Sequence, residues 1–215
     1  MCVMTLALVG CENKLEIENN DSNNNGIESE VVSGSINGHE YVDLGLPSGT
    51  KWATCNVGAN NPEEYGNYYA WGEIMAKSEY TEENCVTCGE NMDDISGDTN
   101  YDVARAMWGE SWRMPTRNEM KELKNECTWE YTTLNGINGM KVTGSNGNNI
   151  FLPAAGYYKK KSSNNIGDGD CGYYWTSTPN KAEDQRAGRL YFRGSNSGVY
   201  WYDRSYYHSV RPVSD

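Results

Sequence analysis

Asn-Gly pairs divide this chain into short segments and limit what it can fold into. An Asn-Gly pair between two short runs of alternating polarity is a strong signal for a tight β-hairpin turn. The clearest predicted hairpin joins residues 140–143 to residues 149–152. The spacing of these pairs predicts short antiparallel strands. The pairs begin at Asn37, Asn135, Asn138 and Asn146.

Two helices are predicted before that hairpin. The first lies near residues 102–108. The second begins at Thr116, because Glu119 follows three residues later and the two form a capping box. Met120 and Leu123 then recur at helical spacing on one face. Strands, two helices and further strands in this order indicate an α+β fold.

The composition favours an aromatic core and an acidic surface. The chain has seven Trp and 16 Tyr, and its formal net charge is -12. A surface with that charge repels phosphate backbones, so we expect no nucleic-acid partner. Two arginines should hold carboxylates or carbonyls inside the fold, and four tryptophans should anchor the core. These residues are Arg113, Arg211, Trp52, Trp71, Trp112 and Trp175.

The N-terminus predicts an exported, lipid-anchored protein. Residues 1–10 are apolar and too few to span a bilayer as a helix. Residues 8–11 resemble the lipobox of bacterial lipoproteins, in which the cysteine, here Cys11, is lipidated. A signal peptide that starts upstream of residue 1 would account for the lack of Lys or Arg before the apolar run. The alternative is a buried N-terminal strand.

A flexible tether and one folded domain are expected after the signal peptide. Residues 11–35 are polar and acidic, with too little apolar surface to fold. Residues 36–215 should form a single domain. An exported protein allows disulfides, and a local loop disulfide is the preferred interpretation of Cys85 and Cys88. A zinc site is less favoured, because no second CxxC pair follows.

Six stretches of the folded part carry a resemblance to a known family. In chain order they are 41–59 (YVDLGLPSGTKWATCNVGA), 69–73 (YAWGE), 112–116 (WRMPT), 151–156 (FLPAAG), 172–177 (GYYWTS) and 209–213 (SVRPV). Together they resemble the "Fibrobacter succinogenes major paralogous domain" family. The resemblance implies a C-type-lectin-like fold, related to formylglycine-generating enzymes, and an exported bacterial context. It implies no particular activity.

The C-terminal hairpin is the candidate ligand-binding surface. Leu190 and Phe192 alternate with arginine and tyrosine, so one strand face is apolar and the other is polar and aromatic. Tyr, Arg, Ser and Asn together are typical of binding loops. An ordinary exposed hairpin that covers the core is the alternative. The candidate binding residues are Arg186, Arg189, Tyr191, Arg193, Asn196, Tyr200, Tyr202, Arg204, Tyr206, Tyr207 and His208.

This segment is also compatible with diversification by a retroelement, which rewrites adenines at the end of some genes for lectin-like proteins. Such rewriting does not produce Trp, Lys, Glu, Gln or Met, and Trp201 is the one member of that set between residues 186 and 210. Tyr206, Tyr207 and His208 stand where members of the resembled family often have a glycine.

The functional expectation is a cell-surface protein, anchored by lipid in the outer membrane, that binds a protein or glycan ligand. Alternatives are a structural adhesion or pilus-associated module and a formylglycine-generating-type oxidase. We expect no enzyme, because no HExxH, GxSxG or phosphate-loop motif is present. No cofactor is expected, although the acidic loop at residues 93–100 leaves a structural calcium open.

Overall fold

The computed structural model describes residues 31–79, 81–109, 111–157 and 169–215. It has the expected order of strands, two helices and strands. The elements are β1 (Gly34–Ile36), β2 (His39–Asp43), β3 (Lys51–Ala53), α1 (Val103–Trp108), α2 (Arg117–Glu126), β4 (Thr128–Leu134), β5 (Ile137–Thr143), β6 (Asn149–Pro153), β7 (Cys171–Pro179), β8 (Arg186–Arg193), β9 (Asn196–Asp203) and β10 (Val213–Ser214).

The strands form three antiparallel sheets. The first has the order β1-β2-β3-β10, so the last strand returns to the start of the chain. The second is the meander β4-β5-β6, and the third is the meander β7-β8-β9. This architecture confirms the α+β prediction of short antiparallel strands with two helices.

Asn-Gly pairs make two of the hairpin turns. Asn37 and Asn135 have φ angles of 52° and 49°, and the glycine after each is also positive, as a type I′ turn requires. The predicted hairpin between β5 and β6 is confirmed, with Thr143 opposite Asn149. The prediction of a turn at Asn138 is wrong. This residue lies inside β5, where a Cβ on the following glycine would meet the ring of Phe151 at 2.4 Å.

Side-chain caps explain where both helices begin. The Asp102 carboxylate accepts hydrogen bonds from the amides of Ala104 and Arg105, at 2.9 and 3.1 Å. Thr116 and Glu119 form the predicted capping box: the Thr116 hydroxyl accepts from the Glu119 amide, and the Glu119 carboxylate accepts from the Thr116 amide. These bonds satisfy amides that no helical carbonyl can reach.

The core confirms the prediction for the tryptophans, because Trp52, Trp71, Trp112 and Trp175 are all fully buried. The largest cluster joins the three sheets to α2. A second cluster forms where α1 and the loops around it meet β7 and β8. The latter cluster supports the sheet that carries the candidate binding residues.

Both interior arginines also lie as predicted. Arg113 makes a two-pronged contact with the Glu119 carboxylate, at 2.6 and 2.9 Å. Arg211 is fully buried and donates to the side chain of Asn56 and to the carbonyls of Ala53, Thr54 and Phe151. The guanidinium group of Arg211 therefore joins two sheets and a loop.

Several expectations concern the N-terminal part. The signal peptide, Cys11 and most of the tether at residues 11–35 lie outside the described residues. The first strand begins at Gly34, within the last residues assigned to the tether. Among the described residues, no helix has the length and apolar character to cross a membrane. Cys85 and Cys88 form a disulfide, as expected, with their Cα atoms 5.5 Å apart.

Replacing Arg211 with Met should lower the free energy of unfolding by on the order of 3 kcal/mol, because several buried acceptors lose a charged donor. Urea denaturation measures this loss. Arg186→Met is the matched control, because Arg186 is exposed. Equal shifts of the denaturation midpoint in the two variants would show that the buried contacts of Arg211 contribute little.

Candidate functional site

The third sheet carries most of the candidate binding residues on one of its two faces. Leu190 and Phe192 are fully buried in the main core, as the alternation predicted. Tyr191 and Arg189 alternate with them and lie on the other face. The register places Arg189 opposite Tyr200 of β9. We call this second face of the β7-β8-β9 sheet the tyrosine face.

Strand β7 adds residues to the tyrosine face that the sequence analysis did not assign to it. Tyr173 pairs with Tyr191, and Trp175 pairs with Arg189. The Tyr157 ring stands 5.2 Å from Tyr173. The alternation of side chains along β7 places Tyr173 and Tyr174 on opposite faces of the strand. It does not show that β7 pairs with β8, so the sequence alone could not assign Tyr173 to the tyrosine face.

Arg189 occupies the centre of this face. It is 8 % exposed, and its guanidinium carbon lies 3.4 Å from the Tyr202 ring centroid and 4.6 Å from that of Tyr173. Its Nη1 is 3.2 Å from Nε2 of His208. Burial lowers the pKa of Arg189, although the surrounding tyrosines partly oppose that shift. The result is a cation enclosed by aromatic rings.

His208 is fully buried and lies directly beneath this arginine. Its Nδ1 is 2.7 Å from the carbonyl oxygen of Tyr207, which can only accept, so Nδ1 carries the hydrogen. Nε2 is then free to accept from Arg189. Burial, and next the charge of Arg189, hold the pKa of His208 well below its usual range. The imidazole is therefore neutral at physiological pH.

The tyrosine hydroxyls at this face are also held in the neutral form. Burial and a hydrogen bond with Tyr206 raise the pKa of Tyr202 to about 12. Burial is the main cause that raises the pKa of Tyr173 and of Tyr191. At neutral pH, then, these groups offer hydroxyl donors and ring faces and carry no negative charge.

Four candidate residues are buried, although the sequence analysis expected them on an exposed face. They are Arg189, Arg204, Tyr207 and His208. The chain leaves β9 after Asp203 and turns inward, where His208 forms a bridge with Tyr69. Both partners of that bridge exchange backbone hydrogen bonds. Tyr207 and His208 therefore contribute no exposed side chain to a binding surface, and diversification of this segment stays a prediction.

The contacts of Arg204 indicate a role in holding the fold together. It donates to the carbonyls of Thr87 and Glu90, at 2.7 and 2.9 Å, and its guanidinium stacks over the Trp71 ring at 4.3 Å. A third bond goes to the carbonyl of Arg186. These contacts tie the loop that carries the disulfide to the end of the third sheet.

The remaining candidates lie at the edges of the sheet. Arg186 pairs with Glu183 and Asp203, and its register puts it on the face opposite to Arg189. Arg193 and Asn196 are paired at the exposed hairpin end of the tyrosine face. The structure thus brings together Arg189, Tyr191, Tyr200, Tyr202, Tyr206 and His208, joined by Tyr157, Tyr173 and Trp175.

The acidic loop at residues 93–100 uses its carboxylates internally. Asp93 contacts Lys181 at 2.6 Å, and Asp94 accepts from the Thr178 hydroxyl at 2.6 Å. Asp98 accepts from the amide of Asn100. Within the described ranges, no group of three or more His, Cys, Asp and Glu residues is arranged to hold a metal ion.

The pH dependence of stability should reveal the neutral state of His208. An unfolded histidine titrates near pH 6.5, whereas folded His208 stays neutral well below that value. The unfolded state therefore binds the proton first. Stability is complete above pH 6.5 and falls as the pH decreases, by at most about 1.4 kcal/mol per pH unit for this one group.

Urea denaturation at pH 7.5 and pH 5.2 measures this effect. His208→Gln should lose less stability between the two values than the unmodified chain. His39→Gln is the control. Burial lowers the pKa of His39 too, but this residue is only partly buried, so its replacement should change the pH dependence of stability less. The groups that face His208 are Arg189, Tyr173, Trp175, Tyr202 and Tyr206. An unchanged pH dependence in His208→Gln would contradict the assignment.

Comparison with known proteins identifies one family model and gives no function. The model, described as "Domain of unknown function (DUF8237)", matches residues 122–213. The matched region runs from the second half of α2 into β10 and includes the whole β7-β8-β9 sheet. No curated protein matches the chain, and no solved structure matches it.

Proposed function

We propose that this chain is a surface lipoprotein, anchored in the outer membrane through Cys11, that binds a ligand with the tyrosine face of a C-type-lectin-like domain. The observation that carries the proposal is the position of Arg189 and its ring of tyrosines on one face of a sheet. The part of this face around Tyr200 is open to solvent. Rigid aromatics beside one arginine are typical of binding surfaces.

The solvent exposure of Tyr200 makes its ring available to a ligand. This residue is 53 % exposed although it lies directly opposite the nearly buried Arg189. Tyr191, beside it on β8, is partly exposed as well. Their exposure leaves an amphipathic contact area next to a buried cation.

The state of Cys127 and Cys171 supports a function other than thiol oxidation. Burial raises the pKa of the Cys127 thiol to about 11, with nearby Glu122 and Glu126 as further causes. A thiol with that pKa stays protonated at neutral pH and is a poor nucleophile. Cys171 is buried. We therefore propose a binding protein, with the C-type-lectin-like fold as its scaffold.

Tyr200→Ala should weaken ligand binding at least about tenfold and leave the thermal unfolding midpoint within a few degrees, because an exposed anchor contributes area at the interface and little to the core. Labelled protein is first screened on glycan and peptide arrays to find a ligand. Titration of that ligand then gives the affinity of each variant.

Met107→Ala is the matched control for that experiment. Met107 is 57 % exposed and lies on α1, outside the third sheet. Its replacement should leave affinity unchanged. Equal affinity of the Tyr200 and Met107 variants for the ligand would remove the tyrosine face from the proposal, as would the lack of any ligand on either array.

Replacing Cys11 with Ser should abolish lipid attachment, because the thiol is the group that is acylated in a lipoprotein. Growth with an alkyne-bearing fatty acid labels the protein, and fractionation shows whether it remains in the outer membrane. Cys2→Ser is the control and should keep both the label and the location. A label that persists in the Cys11 variant would exclude this anchor.

A further inference from the structure

Arg189 is a buried arginine whose hydrogen-bonding capacity the described residues leave largely unused. Its one hydrogen bond with any described residue joins Nη1 to the neutral His208 ring. Its Nε is buried without a hydrogen-bond partner there. Across the described ranges, no carboxylate lies within ion-pair distance of it. A guanidinium has five donors, so most of them remain available.

Two other buried arginines show how this chain satisfies such a group when its role is structural. Arg211 donates to three backbone carbonyls and one side-chain amide. Arg204 donates to three backbone carbonyls. A buried charged donor that forms no hydrogen bond costs free energy, and the hydrogen bonds of Arg204 and Arg211 avoid that cost. Arg189 is the exception among these three buried arginines, and the contrast favours an acceptor that is not among the described residues.

The contacts of Arg189 define which edge of the guanidinium is unpaired. Tyr202 and Tyr173 lie over the guanidinium plane at 3.4 and 4.6 Å, and His208 holds Nη1. The edge formed by Nε and Nη2 is the one without a bond to the described part of the chain. Two parallel N–H groups on one edge match the two oxygens of a carboxylate.

We propose that Arg189 receives the carboxylate of an organic acid, whose body packs against the exposed rings of the tyrosine face. This assignment rests on the proposed binding function and adds the chemical class of the ligand. Tyr200, across the strand pair from Arg189, is the exposed ring of this face.

A single negative charge fits this site better than a phosphate. One guanidinium balances one carboxylate, and the adjoining His208 is neutral. The other arginine on this face, Arg193, already stands 3.9 Å from Asp170. The second charge of a phosphate would have no matching cation among these groups, in a protein whose net charge is already -12.

The test compares acids with neutral molecules of the same shape. The full chain is titrated with benzoate and benzamide, and separately with glucuronate and glucose, while heat of binding and the unfolding midpoint are recorded. Each acid should bind about 10- to 100-fold more tightly than its neutral partner, because a charge-assisted pair is lost with the carboxylate. The two pairs distinguish an aromatic acid from a sugar acid as the source of the carboxylate.

Variants identify the arginine responsible. Arg189→Gln should remove the preference for acids, and Arg189→Lys should keep only part of it. Arg105→Gln is the control and should leave the preference unchanged, because Arg105 lies on α1, outside the third sheet. If Arg189→Gln fails to fold, the acid and its neutral partner are compared on the unmodified chain and on Arg189→Lys. Equal binding of acid and neutral partner would overturn the proposal, as would tighter binding of inorganic phosphate or an equal loss of preference in Arg105→Gln.

The outcomes also separate this inference from the proposed function. A surface ligand whose binding depends on Tyr200 but persists in Arg189→Gln would retain the binding function and reject the carboxylate. Loss of every ligand in the array screen, together with no response to the acids, would reject both.

Discussion

The buried guanidinium of Arg211 is the contact on which the arrangement of the sheets depends. Its Nε bonds to Asn56 at 2.9 Å, its Nη1 to the end of β3, and its Nη2 to Phe151 of β6 at 2.8 Å. The backbone on either side pairs with β7 at Ser209 and with Arg113 at Val213. One side chain and its neighbours therefore connect all three sheets through bonds that water cannot replace.

This connection determines what the chain can do after β9. The segment at residues 207–211 must pass between the sheets to bring Arg211 to its acceptors. Its backbone bonds with Val57 and Tyr69 on one side and with Trp175 on the other. Tyr207 and His208 are buried for this reason. A hairpin that ended freely after Asp203 would instead expose them, as the polarity of the sequence suggested.

Local features were predictable from the sequence because their causes are local. The Thr116 capping box, the turn at Asn37 and the Cys85–Cys88 disulfide each depend on residues within four positions of one another. The alternation along β8 was equally readable, since side-chain parity depends only on extended backbone. Asn138 shows the limit: its dipeptide resembles a turn, but pairing of β5 with β6 keeps it extended.

Non-local features were not predictable in this way. The neighbour of a strand depends on packing across the whole domain, so nothing near Arg189 indicated that Tyr173 and Trp175 would join it. The burial of Arg204 depends on carbonyls more than 100 residues away in the chain. The sequence thus identified the β8 and β9 residues of the tyrosine face and missed those of β7. It also singled out His208, but as an exposed residue, whereas the structure buries His208 beneath Arg189.

The same inward path of the chain also sets the charge of the candidate site. Because Tyr207 and His208 are held in place by backbone bonds, the Tyr207 carbonyl fixes the hydrogen of the imidazole on Nδ1. The lone pair on Nε2 then points at Arg189, 3.2 Å away. A protonated imidazole would put two cations in contact and would be repelled. The buried segment therefore keeps His208 neutral, and the site retains a single positive charge.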